Sequence, residues 1–282
     1  MTIEQFLTTY PYFFLILIAF LSLCMGSFLN VIIYRLPIQL ENEWHKACHD
    51  YVNAKDALPI SSDTKNLRSY CPQCKKVLRI RDNIPIFSYL FLKGKCAHCK
   101  TPISLQYPLI EILCTLTSVI IAWHFGISLQ TLAGLFFTWL LIIQSSIDFK
   151  HQLLPDVLTY IGIWVGLLFS INSLFTDSHS AIIGGIVAYL TLWTMAKLFK
   201  LVTHKEGMGY GDFKLYAMLG TWLGWQSLIF ILFLATFSGL LIGIISIFLK
   251  KTTKETPIPF GPFLAFAGWT TLLVGNNINI LN

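Results

Sequence analysis

Apolar and polar residues fall in long blocks along this chain. An apolar run from about Pro11 to Tyr34 is closed by Arg35, and about 20 apolar residues are what a helix needs to cross a bilayer. The run exceeds a signal-peptide core and no basic stretch precedes it, so it reads as a retained span. Residues 35–105 are polar, and apolar runs then recur near 106–124, 129–147, 157–175, 181–199, 213–224, 227–249 and 260–276. The pattern predicts an all-α polytopic integral membrane protein of about eight transmembrane helices, the sixth short and rich in small residues. It divides the chain into a first transmembrane helix (1–34), a cytoplasmic loop domain (35–105) and a seven-helix membrane domain (106–282).

Composition agrees with that pattern. Apolar residues make up 55% and charged residues 12% of the chain, against about 25% charged in soluble proteins. Low charge excludes a disordered chain, and the lack of repeats excludes collagen-like or low-complexity classes. The net charge of +6 lies wholly in residues 35–105, which hold 12 bases and 6 acids. With eight spans and the N-terminus outside, every Lys and Arg falls on or beside one face, as the positive-inside rule expects of the cytoplasmic side. The charge therefore speaks first for topology in a membrane lipid environment, and no nucleic-acid partner is expected.

The polar block carries Cys71-Pro72-Gln73-Cys74 and Cys96-Ala97-His98-Cys99. Each C-x-x-C pair can offer two thiolates from one tight turn, and the arm between them lets the pairs converge on one tetrahedral ion. Cys71, Cys74, Cys96 and Cys99 thus predict a closed structural zinc site in a zinc-ribbon-like insertion. Disulfides would need an oxidising compartment, contrary to a cytoplasmic loop.

Four acids lie in or beside apolar runs: Glu111, Asp148, Asp156 and Asp212. A carboxylate within a span costs about 2.5–3.5 kcal/mol on insertion scales and is a functional candidate by default. Asp148 and Asp212 both fall at the cytoplasmic boundary. Two carboxylates brought together share a proton, so one can activate water while the other protonates a leaving amine. The glycines before Asp212, Gly207, Gly209 and Gly211, permit close backbone approach to a substrate. Asp156 follows Pro155 and either caps a helix or supports the site. Glu111 either hydrogen-bonds a neighbouring helix or orients polar groups. A proton-coupled transporter also uses intramembrane acids and stands as the rival reading. A zinc-bearing adaptor on a membrane anchor is a second rival, but it would need neither aspartate.

Taken together, the motifs resemble the type IV prepilin peptidases, bifunctional membrane enzymes of the G-x-G-D aspartic protease class. The residues that carry the resemblance are Gly26-Ser27-Phe28-Leu29-Asn30 through Pro37, the two C-x-x-C pairs, Tyr107-Pro108-Leu109-Ile110-Glu111, and Asp148 with Leu153-Leu154-Pro155-Asp156. Glu206 to Lys214 and Pro257-Ile258-Pro259-Phe260-Gly261-Pro262 complete the ordered set. The resemblance implies Asp148 and Asp212 as catalytic residues, with Gly209, Gly211, Glu111 and Asp156 supporting them. It implies a bacterial inner-membrane enzyme that cuts the basic leader of type IV pilus prepilins and type II secretion pseudopilins after a Gly. It further implies N-methylation of the new terminus with S-adenosylmethionine, and Gly94 matches a glycine associated with that step. No glycine-rich fingerprint of a soluble methyltransferase is present.

Overall fold

The computed structural model of the chain describes residues 11–52, 69–71, 73–205, 207–248 and 258–278. Pro72, Glu206, Pro257 and the lysines Lys250, Lys251 and Lys254 lie outside them. Among the described residues there is no β-strand, only two isolated antiparallel bridges, Tyr70 with Val77 and Lys95 with Pro102. The chain forms two compact units, Met1–Trp123 and His124–Asn282.

The first unit holds α1 (Pro11–Val52), the short α2 (Phe87–Phe91) and α3 (Gln106–Phe125). α1 does not stop where the apolar run stops. Its 42 residues span about 63 Å at 1.5 Å per residue, about twice the hydrocarbon thickness. The part beyond Arg35 carries Glu41, Glu43 and Lys46, which suit a helix in water. Pro37 sits inside the helix, where its ring removes one backbone donor. α1 and α3 meet closely at Gly26, whose absent side chain makes room for the Glu111 backbone. A turn further along, the Asn30 amide donates to the Tyr107 carbonyl at 3.1 Å.

The second unit holds α4 (Leu129–His151), α5 (Asp156–Ile171), α6 (Ser178–Thr203), α7 (Tyr210–Leu223), α8 (Leu228–Phe248) and α9 (Gly261–Ile278). Polar caps start two of these helices. The Ser128 hydroxyl accepts from the Thr131 N–H, and the Asp177 carboxylate accepts from the Ser180 N–H, satisfying donors that a helix start leaves free. α4 and α6 end on left-handed Gln152 and His204, each returning an N–H to the preceding turn. α7 packs against α5, α6 and α9, and α9 packs in turn on α4 and α8. α6 and α7 cross so closely at Gly184 and Gly220 that neither position has room for a side chain. Trp222 anchors the core: its indole N–H donates to the Gly162 carbonyl at 2.8 Å, and Phe137, Phe169 and Phe175 surround its ring.

Helices stand at all eight places the apolar pattern marks. Five of the described helices are long and apolar enough to cross a membrane unaided: Pro11–Cys48, Gln106–Phe125, Leu129–His151, Ser178–Thr203 and Trp225–Ser246. α5 and α7 have only 16 and 14 residues. α7 is buried along its length from Leu215 to Trp222, so protein, and not lipid, surrounds it and its length need not match the bilayer.

Candidate active site and metal centre

Asp148 sits in the last turn of α4 and is 6% exposed. Its Oδ2 accepts a hydrogen bond from the Gly261 N–H at 2.9 Å. Gly261 opens α9, where backbone donors are free and the helix dipole favours negative charge. A Cβ on Gly261 would lie 2.6 Å from the same oxygen, so a side chain there would displace the carboxylate.

Asp212 is the third residue of α7 and is 9% exposed. Its backbone N–H donates to the Gly209 carbonyl at 3.3 Å, the tight turn that starts the helix. Gly209 faces open space apart from the Asp212 Oδ2, which a Cβ would meet at 3.6 Å. Gly211 is different. A Cβ there would lie 2.8 Å from Leu154 Cβ, so this glycine lets the start of α7 press onto the link between α4 and α5. The Asp148 and Asp212 carboxyls are near enough for their charges to interact. Asp212 Oδ1 is buried and has no hydrogen-bond partner among the described residues. Buried polar atoms are nearly always paired, so an orphaned one points to a missing partner such as water or substrate.

Asp156 is the first residue of α5 but makes no capping bond. It pairs with Lys214 on α7, Nζ to Oδ2 2.6 Å, and the same ammonium lies 5.5 Å above the Tyr160 ring. Exposed pairs of this kind contribute at most about 1 kcal/mol. This one joins the starts of α5 and α7 two residues beyond Asp212. Gly261 and Lys214 both fall in motifs that carry the resemblance, but nothing in the sequence assigns either a contact with an aspartate.

In the first unit the four cysteines converge. The Sγ atoms of Cys71, Cys74, Cys96 and Cys99 all lie within 4.8 Å of one another. The two arms repeat one design. The N–H groups of Cys71 and Cys96 donate to the carbonyls of Lys76 and Thr101, and their carbonyls accept from Lys75 and Lys100. A tetrahedral ion with Zn–S bonds of about 2.3 Å separates its sulfurs by about 3.8 Å. The Cys71 and Cys99 sulfurs are 3.8 Å apart, so the donor set fits zinc. Without metal, the Thr101 hydroxyl holds the Cys99 thiol down to about 6, while burial pushes Cys71 up to about 11.

Glu111, on α3 and 7% exposed, accepts from the Ile86 N–H at 2.8 Å. It therefore anchors the loop that leads into α2, and its carboxylate also meets the Ser27 side chain on the neighbouring α1. Gly94 has φ +67° and donates its N–H to the Tyr89 carbonyl at 2.9 Å. A Cβ there would lie 2.9 Å from the Tyr89 hydroxyl, which places Gly94 as the turn between α2 and the second cysteine arm.

Comparison with known proteins follows this division. Residues 20–125 match the bacterial peptidase A24 N-terminal domain, and residues 135–244 match the type IV leader peptidase family. A prepilin leader peptidase/N-methyltransferase of Pseudomonas putida is 43% identical over 100% of this chain and 98% of its own length. Proteins of the same name from Stutzerimonas stutzeri and Legionella pneumophila are 46% and 40% identical, each over 96% of their length and over 99% and 98% of this chain. No solved structure matches. With both halves matched and relatives of this identity aligned end to end, the chain belongs to the type IV leader peptidase family.

Proposed function

We propose that this chain is a prepilin leader peptidase and N-methyltransferase of the bacterial inner membrane. It removes the short basic leader of type IV prepilins and pseudopilins after a Gly, then methylates the new N-terminus. The end-to-end likeness to relatives bearing that double name carries the reading, and none of them is named as a transporter. The substrates are the pilin-like subunits of type IV pili and type II secretion.

Asp148 and Asp212 are the catalytic pair. Hydrolysis needs one carboxyl to take a proton from water as its oxygen bonds to the scissile carbonyl carbon. The other carboxyl gives a proton to the amine as the C–N bond breaks. The Gly261 N–H orients Asp148. The unpartnered Asp212 Oδ1 is left for the attacking water or the substrate carbonyl. Gly209 leaves the approach to that carboxyl open, and Gly211 and the Asp156–Lys214 pair fix the start of α7.

The chain spans the bilayer eight times, with its N-terminus outside and residues 35–105 in the cytoplasm. The short α5, α7 and α9 complete the count begun by the five long helices. Residues 1–34, 35–105 and 106–282 act as membrane anchor, metal-bearing loop and peptidase domain. A structural zinc ion on Cys71, Cys74, Cys96 and Cys99 holds the loop's two arms together and does no chemistry, since four thiolates close its coordination. S-adenosylmethionine supplies an activated methyl group when bound. Gly94 supports that step by shaping the turn into the second cysteine arm.

The test is to incubate the purified protein in detergent or nanodiscs with a prepilin and S-adenosylmethionine and to weigh the product. The expected product has lost its leader and gained one methyl group. An unaltered prepilin mass, with solute uptake into proteoliposomes, would replace this reading with the transporter.

A further inference from the structure

Pro85, Ile86 and Phe87 form a tight three-residue turn. The Phe87 N–H donates to the Pro85 carbonyl at 2.6 Å, and Ile86 has φ 60° and ψ −51°. This is the rare, strained form of the γ-turn, here on a β-branched residue, for which positive φ is a genuine outlier. Strain of this kind persists only where surroundings enforce it. The enforcing contact is the Glu111 carboxylate, which accepts the Ile86 N–H at 2.8 Å.

That contact fixes the height of the turn relative to the bilayer. α3 has 20 residues, about 30 Å, which is the thickness of the hydrocarbon core. Glu111 lies five residues into it, and its side chain tilts back toward the helix start. Ile86 therefore sits beside the first turns of a membrane-spanning helix, at the depth of the headgroup and acyl boundary.

α2 begins at the next residue. Phe87, Leu90 and Phe91, at i, i+3 and i+4, share one face and are 55%, 65% and 84% exposed, with Ile84 beside them at 45%. Tyr89 turns the other way, onto Gly94. Exposed basic residues flank this apolar face, Arg79 and Arg81 before it and Lys93 and Lys95 after it. From 69 to 105 the chain carries seven bases and one acid, Asp82.

We propose that α2 is an interfacial foot. Phe87, Leu90 and Phe91 enter the bilayer surface, and the flanking Arg79, Arg81, Lys93 and Lys95 bind anionic lipid headgroups. Apolar side chains rimmed by bases are how a helix lies in a membrane interface, and each such base adds attraction to an anionic surface. The strained turn and Glu111 aim the foot at the membrane, and so fix the height of the cysteine arms that follow it. This goes beyond the cleavage reading and does not depend on which aspartates act.

The experiment places a photoreactive benzoylphenylalanine at position 91 of the full-length protein, in nanodiscs of phosphatidylethanolamine and phosphatidylglycerol at roughly 3:1. The control is position 46. It is exposed on α1, 16 residues past Asn30, which is level with Tyr107 at the start of α3, so it lies about 24 Å further out. Monodisperse elution shows that each variant is folded. The proposal expects lipid adducts at 91 to exceed those at 46 by about tenfold, since residue 46 lies outside the headgroup layer. It also expects phosphatidylglycerol to be enriched above its mole fraction. The quadruple variant Arg79→Gln, Arg81→Gln, Lys93→Gln, Lys95→Gln should lose that enrichment. Equal lipid yields at 91 and 46, or adducts at 91 to protein in place of lipid, would overturn it. Adducts without phosphatidylglycerol enrichment would overturn the headgroup contact. Leader cleavage is not the readout, so failure here is distinguishable from failure of the peptidase assignment.

Discussion

The end of α4 and the start of α7 each present a buried aspartate, but the two are held differently. Asp148 is committed: its Oδ2 is bonded to the Gly261 N–H, and α9 begins on top of it. Asp212 is uncommitted, with one buried oxygen that meets no donor among the described residues. The difference suggests a division of labour. One carboxylate is oriented by the fold, while the other keeps an oxygen for water or substrate. The fold also holds the two regions by different means. Asp148 is reached across 113 positions by a backbone donor, whereas Asp212 is positioned by contacts close to it in sequence and by the α4–α5 link at Leu154.

Substitutions at the held side should do the most damage short of removing an aspartate. Gly261→Ala puts a Cβ where the Asp148 carboxylate lies. A displacement of about 1 Å can cost about 10²-fold in rate, so leader cleavage should fall by about that factor, measured as initial rates on purified prepilin. An unchanged rate would show that Asp148 is not held at Gly261 during the reaction. Gly211→Ala should cost somewhat less: Leu154 Cβ can move only with its backbone, so the α4–α5 link must shift, but the added methyl touches Asp148 not at all. Its effect should fall on kcat and not on KM if it moves Asp212 and leaves the substrate helix's seat alone.

Smaller again is the Asp156–Lys214 pair. Either Asp156→Asn or Lys214→Met should lower cleavage by a factor of a few, because an exposed pair contributes at most about 1 kcal/mol. The exchange Asp156→Lys with Lys214→Asp should recover part of the loss. No recovery would mean that the pair does not position Asp212. Removing metal should touch the comparison least. Chelation, or Cys71→Ser, should strip the metal and impair methylation while cleavage changes little. Metal affinity should weaken as the pH falls, because each thiol must lose its proton to bind, and the dependence should steepen below about 6, where the Cys99 thiol is protonated as well. Full metal content in Cys71→Ser would remove the site from consideration.

Much of this arrangement can be read from the sequence, for identifiable reasons. The helices follow from apolar runs, and the cysteine cluster follows from spacing, because two C-x-x-C turns are local geometry. The helical extension of α1 to Val52 was hidden, since a helix in water beyond Arg35 gives no apolar signal. The contact of Gly261 with Asp148 is hidden for a different reason: periodicity reports a helix's surroundings but not which distant backbone donor meets its acid. The sequence leaves Asp156 open between cap and support, and a lysine on another helix, Lys214, is its partner in the structure. The γ-turn at Ile86 is invisible in sequence because isoleucine is a poor candidate for positive φ.

The central claim is that Asp148 and Asp212 together perform the cleavage. The most direct measurement is the single-turnover rate of leader removal by Asp148→Asn and by Asp212→Asn, each first shown to be monodisperse and to retain its metal. Asparagine keeps the shape and an acceptor for the Gly261 N–H but cannot carry the proton. Both variants should therefore lose at least about 10²–10⁴-fold, the usual contribution of a positioned acid or base. Cleavage at the unsubstituted rate by either variant would contradict the claim.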